Sequence, residues 1–341
     1  MKKRIKILIV EDSLVFRQTL ARGITQDPAL VVVATASDPY SARDRIIEFE
    51  PDIMTLDIEL PRMNGIEFLK RLMPQYPIPV VVVSSATTRI FDALDAGAVD
   101  YVIKPENRNN ELDSFYNELV VKIKIASMAR VDHWKSKHVP NVNYHIQGQV
   151  SNKIIAIGAS TGGTEATLEV LRKFPRDAPG TLVVQHMPAG FTEMYAQRLN
   201  SLCTIEVKEA SDGDRVYPGR VLIAPGDYHM RIKRTGSVYS VECQAGEKVC
   251  GHCPSVEVMF SSMAEQVGRN AIGVILTGMG QDGAQGLLAM RRKGAHTIGQ
   301  DEETCVVYGM PKIAYDIGAV ERRLPLNNIA NQVFAWLANG N

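Results

Sequence analysis

Residues 5–12 read Ile-Lys-Ile-Leu-Ile-Val-Glu-Asp, and residues 52–57 read Asp-Ile-Met-Thr-Leu-Asp. Each is an apolar run of strand length that ends in carboxylates. Similar runs follow at Leu30–Ala36, Ile78–Val83 and Val99–Ile103, with helix-spaced residues between them such as Leu14, Leu20 and Ile24, or Ile66, Leu69 and Leu72. Strands that are apolar without alternation are buried on both faces, as in a parallel sheet wrapped by helices. Five such βα units predict one doubly wound α/β domain over residues 1–128. Its fifth helix is expected from about Asn110, with Leu112, Phe115, Leu119 and Ile123 on one face. The periodicity then dissolves over residues 129–150, a mildly basic stretch with His133, His138 and His145, which reads as a linker.

A second alternating pattern fills residues 151–341. Strands are expected at Lys153–Gly158, Thr181–His186, Val221–Ala224, Ala271–Thr277 and His296–Ile298. Helices are expected near Gly163–Lys173, Phe191–Leu199, Pro254–Val267, Gly283–Lys293 and Asn327–Leu337. Thr235-Gly236-Ser237 before Val238–Cys243 marks a β-hairpin. The expectation is a mainly parallel second domain with that hairpin attached.

A length of 341 residues fits two domains at ~150 residues each. Lys plus Arg number 38 and Asp plus Glu 38, so there is no basic surplus of the kind a nucleic-acid binder carries. No apolar run approaches the ~20 residues needed to cross a bilayer. Lys2, Lys3 and Arg4 begin like a signal peptide, but the apolar stretch stops at Val10, short of an h-region. Five cysteines, an odd number without an export signal, read as reduced thiols in a cytoplasmic protein.

Glu11 and Asp12 follow the first predicted strand, Asp57 ends the third, Ser84 the fourth, and Lys104 follows the fifth. In a parallel sheet these positions share the carboxyl edge, where ligands bind. Converging carboxylates repel unless a cation sits among them, and hard oxygen donors suit Mg²⁺. Asp57 could then attack phosphorus, with Lys104 and the Ser84 hydroxyl facing the transferred oxygens. Taken singly, each acidic residue could equally be a soluble turn residue; the combination is what carries the reading. The Lys104–Pro105 bond has a cis option that would fix the lysine loop.

The stretches ILIVEDS, PDIMTLDIELPRMNG, PVVVVSSAT and AGAVDYVIKP resemble the receiver domain of two-component response regulators, which is flavodoxin-like. The resemblance implies that Glu11, Asp12 and Asp57 hold Mg²⁺, with the Glu59 backbone carbonyl as a further ligand, and that Asp57 is the phosphoacceptor. It also implies that Ser84 and Tyr101 couple phosphorylation to the far face. The segment from Ser84 to Lys104 is shorter than is usual in that family, so a truncated fourth helix is expected.

In the second domain, Ile154-Ile155-Ala156-Ile157-Gly158-Ala159-Ser160-Thr161-Gly162-Gly163 runs from a buried strand through a Gly-framed serine into a helix. G-x-S-x-G satisfies the nucleophile-elbow pattern, and the helix start offers N–H groups to an oxyanion. Gly-rich strand-to-helix turns also bind nucleotide phosphates, so the motif alone leaves both readings open. Of seven histidines, His186 ends a strand on the same edge as Ser160, His296 opens a strand at the opposite edge, and His229 is the runner-up base. Asp282, presented by Gly278-Met279-Gly280-Gln281-Asp282-Gly283, could orient the imidazole or merely cap the helix that starts at Gly283. The order Ser…His…Asp differs from that of α/β-hydrolases.

IGASTGG, QHMP, APGDYH, PSVEVMF, LTGMGQDGA and GMPKIA resemble, in order and spacing, the catalytic domain of chemotaxis protein-glutamate methylesterases. That resemblance implies hydrolysis of glutamate γ-methyl esters, with deamidation of glutamines, on methyl-accepting chemoreceptors, and phosphorylation by a chemotaxis histidine kinase. It assigns Ser160 as nucleophile, His186 as base, Asp282 as orienter, and the backbone N–H groups of Met279 and Thr161 to the oxyanion hole. It implies no cofactor for the ester chemistry. Cys243, Cys250, His252 and Cys253 suggest a zinc site, but C-x-H-C is awkward spacing for one tetrahedral ion. A receiver whose partner domain only docks to other proteins is the competing reading; a transcription regulator fits poorly without a helix-turn-helix pattern.

Overall fold

A computed structural model of the chain describes residues 3–85, 87–105, 112–131 and 152–338. The chain divides into two compact units, residues 1–137 and 138–341. Most of the expected linker with its three histidines, and the start of the fifth helix at Asn110, lie outside the described residues.

The first unit alternates β1 (Ile5–Val10), α1 (Leu14–Ile24), β2 (Leu30–Ala36), α2 (Pro39–Phe49), β3 (Ile53–Leu56), α3 (Gly65–Leu72), β4 (Val80–Ser84), α4 (Ile90–Asp95), β5 (Asp100–Ile103) and α5 (Leu112–Ala126). All five strands are parallel, in the order β2-β1-β3-β4-β5. The central strands β3 and β4 are buried at every residue, which is why they are written in Val, Ile, Leu and Met, with only Thr55 and Ser84 polar and no polar alternation. Helices start where short polar side chains can cap them: Ser13 accepts from the Phe16 N–H, Asp38 from Tyr40 and Ser41, and Asn64 from Glu67. The fourth helix is six residues long, against eleven, eleven, eight and fifteen for the others, as its short segment implied.

The second unit runs β6 (Ile154–Ala159), α6 (Gly163–Leu171), β7 (Thr181–Gln185), α7 (Phe191–Leu202), β8 (Glu206–Glu209), β9 (Arg215–Val216), β10 (Arg220–Ile223), β11 (Tyr228–Thr235) and β12 (Val238–Ala245). It continues with α8 (Val256–Gln266), β13 (Ala271–Ile275), α9 (Ala284–Arg292), β14 (His296–Gln300), α10 (Met310–Asp316), β15 (Arg322–Leu324) and α11 (Leu326–Ala338). Seven strands form a wholly parallel sheet in the order β15-β14-β13-β6-β7-β10-β8. The expected hairpin is β11–β12, and β9 extends it to a three-stranded antiparallel sheet. Met230, Ile232 and Val241 of that small sheet share one core with Met259, Phe260 and Met263 of α8, and Ser262 Oγ accepts from the Ile232 N–H. The hairpin is thereby fastened to the helix whose amino end reaches the site.

The strand order reverses direction at β6. From β6 the chain builds outward through β7 on one side, then returns to lay β13 on the other. Such a reversal opens a crevice at the strand carboxyl ends, and Ser160, His186 and the loop from Thr277 to Asp282 all follow strands that flank it.

Candidate functional site

Ser160 comes immediately after β6. Its N–H donates to the Thr277 carbonyl (3.0 Å), and its own carbonyl accepts from Gly163 N–H (2.7 Å) and Gln185 Nε2 (2.9 Å). The turn is thus tied to both flanking strand ends. Two glycines allow the close approach. A Cβ at Gly158 would stand 2.2 Å from Val256 Cγ1, and one at Gly278 would stand 2.6 Å from Ser160 Cβ. The first therefore seats the start of α8 against β6, and the second lets the loop after β13 lie on the serine.

His186 follows β7, and its Nε2 is 2.7 Å from Asp282 Oδ2. The other ring nitrogen, Nδ1, is buried and has no hydrogen-bond partner among the described residues. No hydrogen bond joins it to Ser160 Oγ here; such catalytic bonds are often made only with substrate in place.

Asp282 does more than its spacing implied. Its Oδ1 accepts from Ser255 Oγ (2.7 Å) and the Glu257 N–H (2.9 Å), and Oδ2 accepts from the Val256 N–H (2.7 Å) as well as facing His186. The carboxylate thus caps the start of α8, where free N–H groups and the helix dipole favour negative charge. The alternative of a cap for the following helix does not hold, because α9 begins after Gly283 without a side-chain cap. Burial works to raise the Asp282 pKa, but the bonds from His186, Ser255 and the Glu257 N–H outweigh it and hold the carboxyl below its ordinary value.

Met279 follows Gly278, whose carbonyl accepts from the N–H groups of Gly309 (3.1 Å) and Met310 (2.7 Å). The Met279 N–H donates to no acceptor among the described residues, so it remains available. Thr161 is buried, and its carbonyl accepts from Thr277 Oγ1 (3.0 Å). His229, the runner-up base, lies on β11 with Nε2 held 2.8 Å from the Glu247 carbonyl. His296 opens β14 and pairs with Glu321 (3.0 Å), at the strand end opposite to the crevice. The cysteines assemble no group of metal ligands among the described residues, where only Glu11, Asp12 and Asp57 do so.

Sequence reasoning missed Ser255 and His252 as members of this site. Ser255 is fully buried and lies in PSVEVMF; a serine just ahead of an apolar helix was a capping signal, but nothing local linked it to Asp282. His252 stacks on His186 with ring centroids 3.6 Å apart.

In the first unit, the ligand atoms of Glu11, Asp12 and Asp57 all lie within 4.8 Å of one another. Lys104 Nζ reaches Asp57 Oδ2 (2.5 Å) and Glu11 Oε2 (2.8 Å), and packs over the Phe16 ring. Burial would lower the Lys104 pKa, but its bonds to Asp57 and Glu11 raise it instead. Burial raises the Glu11 pKa despite the lysine, so one ammonium does not compensate the acidic set. Hard carboxylate oxygens left short of positive charge fit Mg²⁺. The Glu59 N–H donates to Asp57 Oδ1 (3.2 Å), wrapping the segment round the pocket. Ser84 is fully buried at the end of β4, and its carbonyl accepts from the Lys104 N–H. Tyr101 is buried, with the Lys122 ammonium 4.6 Å from its ring centroid. The cis option at Lys104–Pro105 is not taken: the cis peptide among the described residues is Cys253–Pro254. The lysine is placed by its two ion pairs instead.

Residues 155–333 match the CheB methylesterase family, and residues 7–115 match the response regulator receiver domain. A protein-glutamate methylesterase/protein-glutamine glutaminase of Syntrophomonas wolfei is 60% identical over 97% of both chains. A protein of the same description from Syntrophotalea carbinolica is 52% identical over 99% of both. The crystal structure of the Thermotoga maritima CheB methylesterase catalytic domain, 39% identical, superimposes with a TM-score of 0.53 and covers 54% of this chain and 98% of its own. The chain therefore belongs to the protein-glutamate methylesterase/protein-glutamine glutaminase family, hydrolases that here carry a response-regulator receiver domain ahead of the CheB methylesterase domain.

Proposed function

We propose that this chain hydrolyses glutamate γ-methyl esters, and deamidates glutamines, on methyl-accepting chemoreceptors, with Ser160, His186 and Asp282 as its triad. The observation that carries the reading is the Asp282–His186 bond of 2.7 Å at the crevice that Ser160 also borders. Ser160 Oγ attacks the ester carbonyl as His186 takes its proton, and the oxyanion is received by the Met279 N–H with that of Thr161. Methanol leaves with the proton returned by His186, and water cleaves the acyl-enzyme by the same roles in reverse. On a glutamine side chain the leaving group is ammonia. Asp282 holds the imidazole and stabilises its charged form.

The receiver, residues 1–128, regulates this chemistry from across the segment 129–150, with residues 151–341 as the catalytic domain. A chemotaxis histidine kinase supplies the phosphoryl group to Asp57. Glu11, Asp12, Asp57 and the Glu59 carbonyl would hold Mg²⁺, which would supply positive charge to the phosphoryl oxygens. Lys104 and Ser84 bind the phosphoryl oxygens, and Tyr101 relays the change. The setting is the cytoplasm; no helix of the described residues is long and apolar enough to cross a membrane.

Methanol release from methylated receptor membranes tests the reading directly. Ser160→Ala should stay folded and lose several orders of magnitude in turnover. A folded Ser160→Ala protein of near wild-type activity would overturn the triad.

A further inference from the structure

The proposed chemistry leaves one imidazole at the site unused. His252 is delivered there by a tight turn in which Val249 and His252 each donate their N–H to the other's carbonyl at 3.0 Å. Between them Cys250 and Gly251 adopt left-handed backbone, with φ of 52° and 86°. The turn sets the His252 ring flat on His186, with planes 9° apart and centroids separated by 3.6 Å.

A single hydrogen bond to Asp282 fixes where one nitrogen of His186 sits, but does not by itself set the plane of the ring. Its Nδ1 has no hydrogen-bond partner among the described residues that would set that plane. What closes off rotation on one side is the face of His252. We infer that His252 is a positioning residue for the catalytic base, its ring holding His186 in the plane that keeps Nε2 on Asp282 and leaves Nδ1 free for Ser160. This rests on the reading of Ser160, His186 and Asp282 as the catalytic set.

The charge state of His252 suits the task. Burial, and then the neighbouring His186, push its pKa down to about 4, with Lys248 acting the same way and Asp282 opposing. At neutral pH a neutral ring therefore lies against His186, and it does not oppose the positive charge that His186 gains on accepting the serine proton. Flat contact needs an aromatic plane rather than a titratable nitrogen, and that makes the role separable from acid–base chemistry.

The test measures kcat and KM for methanol release by the full chain, with Ser160→Ala run alongside. His252→Leu and His252→Gln, which lack the flat ring, should lower kcat ten- to a hundredfold with KM within about twofold. His252→Phe, which restores a plane but no nitrogen, should recover most of the loss, and its ranking against whichever ring-less variant folds, checked by melting, decides the matter. The inference fails if the ring-less variants turn over like wild type, or if the loss falls in KM alone. It also fails if His252→Phe is as impaired as they are, which would make the nitrogens the active feature. Activity in Ser160→Ala would bring down the catalytic reading itself, whereas an inactive Ser160→Ala beside an unimpaired His252→Leu would remove the positioning role alone.

Discussion

Each domain buries carboxylates at the carboxyl edge of a parallel sheet, and the two domains treat them in opposite ways. Asp282 receives two main-chain N–H groups, a serine hydroxyl and an imidazole, and its pKa is held down. Glu11 and Asp57 share Lys104, Asp12 stands beside them, and Glu11 is left with a raised pKa. The first carboxylate is finished: the chain satisfies its charge and fixes its direction. The acidic set of the receiver is unfinished, and its deficit is what a divalent cation would fill. On the proposed function, a residue that orients a partner through every turnover is best served by permanent bonds, whereas a site that loads and unloads charge is best left short of it.

The sharpest way to break this contrast is at the imidazole that Asp282 faces. His186→Gln should lower kcat by ~10⁴ or more, and Asp282→Asn by ~10⁴. His229→Gln should stay within a few-fold of wild type, because its Nε2 is already engaged by the Glu247 carbonyl. The reverse ranking in methanol release would move the base to His229.

The unfinished site makes the next largest claim. If the unphosphorylated receiver restrains the catalytic domain, a shift of ~3 kcal/mol in that restraint changes turnover by about a hundredfold. A small phosphodonor with Mg²⁺ should therefore activate the wild-type chain, leave Asp57→Asn at its low level, and have no effect on residues 153–341 alone, which should be active from the start. If removing the receiver lowers activity, the receiver assists catalysis or receptor docking instead.

A smaller effect probes how finished Asp282 is. Ser255→Ala removes one of its donors at 2.7 Å while the two helix N–H groups stay. The expected cost is ~1–3 kcal/mol in stability and about tenfold in kcat, read from denaturant melts and methanol release. An unchanged kcat would show that the main chain alone orients the carboxylate.

The contrast also explains what the sequence discloses. The receiver pocket was legible because Glu11, Asp12, Asp57 and Lys104 sit one or two residues past an apolar strand and Ser84 ends one, so strand ends alone bring them together. Ser160 and His186 were legible for the same reason. The ties of Asp282 to Ser255, Val256 and Glu257 were not, because they join a loop to a helix start about 26 residues away, and that contact depends on Gly158 accepting Val256. His252 looked like part of a cysteine cluster, and only the turn at Cys250 and Gly251 aims it at His186. In the fold, β8 was missed because Glu-Val-Lys-Glu is a partly solvated edge strand that lacks the apolar run expected of the interior. The two-residue β9, the three-residue β15 and the seven-residue α10 are too short to show a period.

The smallest expected effect is a dependence of stability on pH. Asp282 titrates below its ordinary value of 3.8 in the folded chain, through its bonds to His186, Ser255 and the Glu257 N–H. A carboxyl whose folded pKa is depressed adds stability that is fully present above its unfolded pKa, about 3.9, and is lost as pH falls through the folded value. Each unit of depression is worth ~1.4 kcal/mol. In the acid range where the carboxyl titrates, the stability gap between wild type and Asp282→Asn should therefore narrow as pH falls from about 5 to below 4. Urea melts at pH 5, 4.5, 4 and 3.5 measure that gap. A gap that widened between pH 5 and pH 3.5 would mean the protonated carboxyl is the better-bound form, and Asp282 could then not be the permanently charged orienter of His186.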